Sequence, residues 1–158
     1  MSRRFRRMAG TALVLACTAV AGPVAAADAS DATLRSTIKT AVPKIEKSQA
    51  KLIDGLTAYQ KTHNPTALIK AIKGQSRTLS ALETKLSQES ASSANGTKGK
   101  TDIVKGLGLI IGSNTTLAKE LQQSAHHAPV SKAKLKAATK ADTRGNRDLN
   151  AGSKLLKL

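Results

Sequence analysis

The sequence has few aromatic residues, almost no cysteine and few acids. Its 158 residues include no Trp, one Tyr, one Phe and one Cys. One cysteine cannot form a disulfide within the chain, and so few aromatic side chains leave the core to aliphatic residues. Lys and Arg number 26 and Asp and Glu number 10, which gives a net charge of +16.

Residues 1–27 have the pattern of a secretory signal peptide. Four arginines lie within residues 3–7, an apolar run follows, and small residues at 25–27 form an A-x-A cleavage site. We expect cleavage after Ala27 and a secreted or envelope-associated protein without a transmembrane segment. A lipoprotein modified at Cys17 and an uncleaved membrane anchor are the alternatives, and both the general secretory and the twin-arginine export routes stay open.

Cleavage would change the composition of the chain. It removes four arginines and no acid, which leaves 22 of the 26 basic residues against 10 acidic ones, a net charge of +12. The only Cys and the only Phe are removed with the leader, so no cysteine nucleophile remains and Tyr59 is the single aromatic residue. Residues 28–158 fit one domain.

Large apolar residues recur at steps of three and four along residues 28–158, which predicts amphipathic helices. The predicted segments are about 31–62, 65–90, 102–126 and 130–157, with a flexible loop at 91–100. The fold class predicted is therefore all-α, an elongated antiparallel four-helix bundle with up-down-up-down topology. Pro43 lies inside the first apolar stripe, which keeps its phase and so predicts a kink. The fourth helix has the fewest large apolar residues and is expected to be the most weakly packed.

The stretch KGLGLIIGSNT at 105–115 resembles a nucleotide-binding or membrane-dimer motif only superficially. Its glycine spacing differs from a dinucleotide fingerprint, and its uncharged run is too short to span a membrane. We expect these glycines to permit close approach of a neighbouring helix, with Gly145 and Gly152 as candidate counterparts.

Polar residues interrupt the apolar seam near the middle of each predicted helix. They are Gln49 (or Ser48), Gln75, Asn114 and Asp142. Antiparallel packing would bring them to one level, where a polar layer can fix helix register. A small-ligand site at this layer is the alternative.

The predicted fourth helix carries a row of basic residues. Residues 129–158 hold eight basic and two acidic residues, and five of the basic ones follow steps of four, four, four and three: Lys132, Lys136, Lys140, Arg144 and Arg147. Such a row favours binding to anionic envelope polymers or lipid head groups. Nucleic acid is disfavoured because the chain would be exported and offers almost no aromatic residues for base stacking, with Tyr59 alone after the leader.

No constellation of residues indicates catalysis. His126 and His127 are adjacent, which is a poor spacing for a metal pair on a helix, and no serine elbow or di-iron motif occurs. We therefore expect no catalytic residues, metal or cofactor. The predicted function is a secreted, non-enzymatic, basic helical bundle that acts as a binding or structural module at the cell envelope. The alternative is a small-ligand carrier or sensor that uses the polar layer.

Overall fold

A computed structural model describes residues 29–158, so the predicted signal peptide lies outside the described residues. This part of the chain forms four α-helices and no strand, which confirms the all-α fold class. The helices are α1 (Ala29–Thr62), α2 (Thr66–Gln88), α3 (Ala94–Ala125) and α4 (Lys132–Leu156). None of these helices has the length and apolar character needed to cross a membrane.

The helix boundaries follow from local capping chemistry. The side chains of Asn64, Ser93 and Ser131 accept hydrogen bonds from backbone N–H groups at the starts of α2, α3 and α4, at 3.0, 2.8 and 3.3 Å. The chain leaves α1 and α3 through His63 and His127, whose φ angles of 58° and 55° are left-handed. Helix α1 continues through Pro43 without interruption.

The prediction of a flexible loop at 91–100 is wrong. Helix α3 begins at Ala94, and only residues 89–93 connect it to α2. The carboxylate of Asp31, at the start of α1, accepts hydrogen bonds from the backbone and hydroxyl groups of Ser92 and Ser93. Gly96 is buried against Asp31, and Gly99 is buried against the end of α4. A Cβ built at either glycine would overlap these neighbours. These contacts hold a segment whose composition is typical of a loop.

The apolar residues form two clusters at successive levels. The larger one draws on all four helices: Leu34, Ile38, Ile45, Leu79, Leu82, Leu86, Ile103, Leu107, Ile110, Leu149, Leu156 and Leu158. The smaller one draws on α1, α2 and α3: Tyr59, Leu68, Ile72, Ala118 and Leu121. Polar residues of α2 and α3 separate the two clusters along those helices.

The expectation that the fourth helix is the most weakly packed is also wrong. Helices α3 and α4 share the most extensive contact of any pair. Small residues face each other along it every seven positions, since Gly99 lies on Gly152 and Gly106 on Gly145. In the same register Ser113 donates a hydrogen bond to the Ala138 carbonyl at 2.9 Å. The absence of large side chains lets the backbones approach, so packing compensates for the few apolar residues of α4.

Only part of the glycine prediction is confirmed. A Cβ built at Gly106 would lie 2.7 Å from the carbonyl oxygen of Gly145, which is closer than real Cβ contacts. Gly108 faces only a carboxylate oxygen of Glu83, at 3.1 Å, and Gly112 has nothing within 4 Å of its would-be Cβ. One of the three glycines of the KGLGLIIGSNT stretch therefore serves the close approach of α4.

Helices α1 and α2 form a second pair, with α2 also packed on α3. Helix α1 makes only slight backbone contact with α3. Helices α1 and α2 approach each other closely at Gly55, where a Cβ would lie 3.0 Å from the Cα of Leu68. The outer sides of the two helices enclose an open groove, whose lining includes Gly55.

Candidate functional site

The groove between α1 and α2 is a strongly cationic concave surface. It has a volume of about 1130 Å³ and is open to solvent. Its walls carry six cationic side chains, which are Lys44, Lys47 and Lys51 from α1 and Lys70, Lys73 and Arg77 from α2. Asp54 is the single acid that lines it, so the net charge of its lining is +5.

The same spacing places the cations on both walls. In each helix they occupy positions i, i+3 and i+7, which lie on one face over two turns. The apolar seam of α1 at Ile45 and Leu52 and that of α2 at Ile72 and Leu79 lie beside these faces. When the seams pack together, the flanking cations are left on the two rims of one groove.

The floor of the groove consists of small residues and two buried polar ones. Gly55, Ala71 and Gly74 line it, and a Cβ at Gly74 would meet nothing within 4 Å. The hydroxyl of Ser48 donates to the Ile45 carbonyl at 2.7 Å, so its proton is used within α1. Gln75 accepts a hydrogen bond from Asn114 on the core side, at 2.9 Å. Of the two glycines, only Gly74 leaves open space, because a Cβ at Gly55 would lie 3.0 Å from the Cα of Leu68.

The electrostatics favour an anionic ligand. All six cationic side chains are solvent-exposed, so each is hydrated and free to reach toward the groove. Like charges placed together repel one another, and the repulsion is only partly screened at distances below about 8 Å at physiological salt. A bound anion with several charges would relieve this repulsion and release its own counterions.

The basic row predicted on the fourth helix lies elsewhere. Its five members are exposed on α4, and none of them lines the α1–α2 groove. The Nε of Arg144 lies 4.0 Å from a carboxylate oxygen of Asp148, and the same oxygen lies 4.0 Å from Lys105. This row is thus convex, on a single helix, and carries an acid at one end. Its role in polyanion binding stays a prediction.

The predicted polar layer is brought together in part. Gln75 and Asn114 are buried and hydrogen-bonded to each other between the two apolar clusters. Ser48 is buried while Gln49 is half-buried. Asp142 is half-buried on α4, and its carboxylate accepts a hydrogen bond from Asn146 at 3.3 Å. The α2–α3 half of the layer is a direct contact, and the role of all four residues in helix register stays a prediction.

The histidines occupy helix ends. His63 and His127 are the left-handed residues that follow α1 and α3, and His126 caps α3. Within residues 29–158, no three His, Cys, Asp or Glu side chains are close enough together to hold a metal ion. The positions of the three histidines are explained by the turns that follow α1 and α3.

The α1–α2 groove is the site that sequence reasoning missed. Its signal was present, since KxxKxxxK at 44–51 and KxxKxxxR at 70–77 have the same spacing. Along any single helix the longest such row is that of α4, with five members from Lys132 to Arg147. A groove depends on which faces of two helices become neighbours, which a charge count does not reveal.

Comparison with known proteins adds no functional inference. No protein family, no curated protein and no solved structure matches this chain, so the geometry of the groove is the basis on which its function is considered.

Proposed function

We propose that this protein is an exported, non-enzymatic binding module that holds anionic polymers in the α1–α2 groove. The observation that carries the proposal is the opposition of two cationic rows, three residues each, across a groove with one acid. Multiple lysines facing one space raise the local anion concentration and give binding that depends on salt.

The site of action in this proposal is the cell envelope. The signal-peptide pattern of residues 1–27 supports export, and exported basic proteins meet anionic envelope polymers and lipid head groups. Nucleic acid is a poorer candidate because Tyr59, the only aromatic residue after the leader, is buried and not available for stacking on bases. The basic row of α4, from Lys132 to Arg147, is proposed as an accessory surface that adds long-range attraction.

The proposal includes an up-down-up-down course for the helices, with a bend of α1 at Pro43. Three contacts support this course. Asp31 at the start of α1 meets the α2–α3 connection, Gln75 meets Asn114 mid-helix, and Gly99 near the start of α3 meets Gly152 near the end of α4. In such a course the groove runs along one side of the bundle. The missing N–H of Pro43 and its clash with the preceding turn support the bend.

The alternative function, a small-ligand carrier at the polar layer, has less support. Gln75 and Asn114 satisfy each other at 2.9 Å, and apolar clusters occupy the levels on either side. A neutral ligand would have to displace this hydrogen bond. Saturable thermal stabilisation by a small neutral molecule would favour the alternative.

The test compares two variants of equal charge change. Residues 28–158 are prepared as wild type, as Lys44/Lys47/Lys51→Gln and as Lys132/Lys136/Lys140→Gln, and binding to long-chain polyphosphate is measured at several salt concentrations. We expect the log–log salt slope of the groove variant to fall by about one per lysine removed, and that of the α4 variant to fall less. Equal losses would mean that net charge alone matters, and absence of salt-dependent binding by the wild type would end the proposal.

A further inference from the structure

We infer that the side-chain amide of Gln75 donates a hydrogen bond to the anionic polymer in the α1–α2 groove, and that Asn114 positions this amide. The inference rests on the proposed function, since it specifies how the same groove contacts its ligand. The exposed lysines supply charge from flexible side chains, whereas Gln75 supplies a donor at a fixed place.

Only one end of the Gln75 amide is used within the protein. Gln75 is 6% exposed and lines the groove. Its Oε1 atom accepts the 2.9 Å hydrogen bond from Asn114. For its two Nε2 protons, the part of the chain that the structure describes offers no acceptor, and this nitrogen keeps contact with solvent. A nearly buried side chain thus retains two unused N–H donors.

The bond to Asn114 decides which end of the amide is available to a ligand. The oxygen and the nitrogen of an amide lie on different sides of the same carbon atom. Because Oε1 is held toward α3, Nε2 is turned away from α3, and the other surface that Gln75 contacts is the groove. The amide cannot turn over without losing this bond. Asn114 would therefore act on the ligand through Gln75, as a positioning residue.

Gln75 lies at the level of the cationic rows along the helix axis. In α2 it falls between Lys73 and Arg77, which both line the groove. The adjacent Gly74 leaves open space, since a Cβ there would meet nothing within 4 Å. Ser48 also lines the groove, but its hydroxyl proton is already used within α1. An anion drawn between the rows thus meets the Gln75 amide as the available donor of the floor.

This donor requires an acceptor oxygen on the part of the ligand that enters the groove. The oxygens of phosphate, sulfate and carboxylate groups all meet the requirement, and a hydrogen bond to an ionised oxygen is stronger than one between neutral groups. A ligand that removes water from the amide without replacing its hydrogen bond loses affinity. Gln75 therefore favours polymers whose anionic groups reach the floor over those held only at the rims.

The experiment measures binding of residues 28–158 to long-chain polyphosphate at several salt concentrations. We expect Gln75→Leu to weaken binding roughly tenfold at each concentration. The log–log salt slope should stay unchanged, because no cation is removed. Asn114→Leu should weaken binding less, and the double variant should bind like Gln75→Leu, since Asn114 acts only through Gln75. Gln60→Leu, at an exposed glutamine of α1 outside the groove, is the matched control and should change neither affinity nor slope.

A second measurement uses the wild type and so does not depend on how the variants fold. The side-chain NH2 resonances of Gln75 in isotope-labelled protein are followed by NMR as polyphosphate is added. They should shift saturably and exchange more slowly with water, whereas those of Gln60 should stay unchanged.

The outcomes separate the inference from the proposed function. If the wild type shows no salt-dependent binding, the proposed function fails and the inference fails with it. If the wild type binds but Gln75→Leu binds as tightly, or if the Gln75 side-chain resonances do not move, the groove still binds anions and the donor role is overturned. A lower salt slope for Gln75→Leu would mean that cation contacts were lost instead, and additive losses would contradict the positioning role of Asn114.

Discussion

The side-chain amide of Asn114 on α3 donates a hydrogen bond of 2.9 Å to the Oε1 atom of Gln75 on α2. Gln75 also lines the α1–α2 groove, so this bond lies directly beneath the candidate binding surface. It joins the two helices at the level where the apolar core is divided in two. This polar contact therefore connects the lining of the groove to α3.

We expect Asn114→Leu to destabilise the protein because it leaves the carbonyl oxygen of Gln75 buried without this donor. A buried polar group that loses its partner costs about 1–3 kcal/mol. The double change Gln75→Leu with Asn114→Leu should recover part of that loss, since both polar groups are then removed. Urea denaturation of the two single variants and the double variant measures the coupling, and additive losses would show that the bond contributes no specific energy.

The seam between α3 and α4 gives a prediction with an internal control. Gly106→Ala should lower the free energy of unfolding by about 1–3 kcal/mol, because the new methyl group would lie 2.7 Å from the Gly145 carbonyl oxygen. Gly112→Ala should raise it by about 0.5–1 kcal/mol, because its site is open and alanine favours the helix. Chemical denaturation measures both values. A stabilising Gly106→Ala would contradict the close approach of the two backbones.

Much of the helical pattern could be predicted from the sequence, because steps of three and four in apolar residues report directly on a buried face. The buried residues of α2, from Leu68 to Leu86, follow that spacing. The start of α3 could not be predicted in this way, because Gly96 and Gly99 are typical of a loop when only their neighbours in sequence are considered. Their helical state depends on Asp31 and on the end of α4, which are distant in sequence.

The spacing of the groove cations could be seen in the sequence, but their pairing across two helices could not, for a related reason. The spacing of Lys44, Lys47 and Lys51 identifies one face of α1, but which helix faces it is decided by packing of the apolar seams. The Gln75–Asn114 contact was easier to anticipate because both residues lie on the seam itself, near the middle of their helices.

The environment of Asp31 predicts a pH dependence of stability. The Ser93 hydroxyl first, and then the Ser92 backbone N–H, lower the pKa of Asp31 to about 2. The unfolded value is about 3.9. Because the folded pKa is the lower one, the contribution of this carboxylate is complete above about pH 4 and is lost as the pH falls toward 2.

We therefore expect Asp31→Asn to be less stable than the wild type at neutral pH, with a difference that shrinks between pH 4 and pH 2. Thermal denaturation across this range compares the two proteins directly and cancels the titration of the other acids. A difference that stays constant with pH would mean that the hydrogen bonds to Ser92 and Ser93 do not depend on ionised Asp31.

The left-handed conformation of His127 predicts that glycine is better at this position. A non-glycine residue with φ of 55° carries a strain of about 1 kcal/mol, which glycine avoids. His127→Gly should thus raise the melting temperature. His126→Gly is the control, because its φ of −96° is ordinary and glycine gains nothing there. Stabilisation by both changes, or by neither, would contradict this explanation of the helix end.

The most direct test of the central claim is to locate the bound anion by NMR. Backbone amide shifts of isotope-labelled residues 28–158 are followed during titration with tripolyphosphate, and Gly55 and Gly74 serve as well-separated reporters on the groove floor. The claim predicts saturable shifts at these glycines and at Ser48 and Gln75, with smaller changes along Lys132–Arg147. Shifts confined to the α4 row, or spread evenly over all exposed lysines, would contradict it.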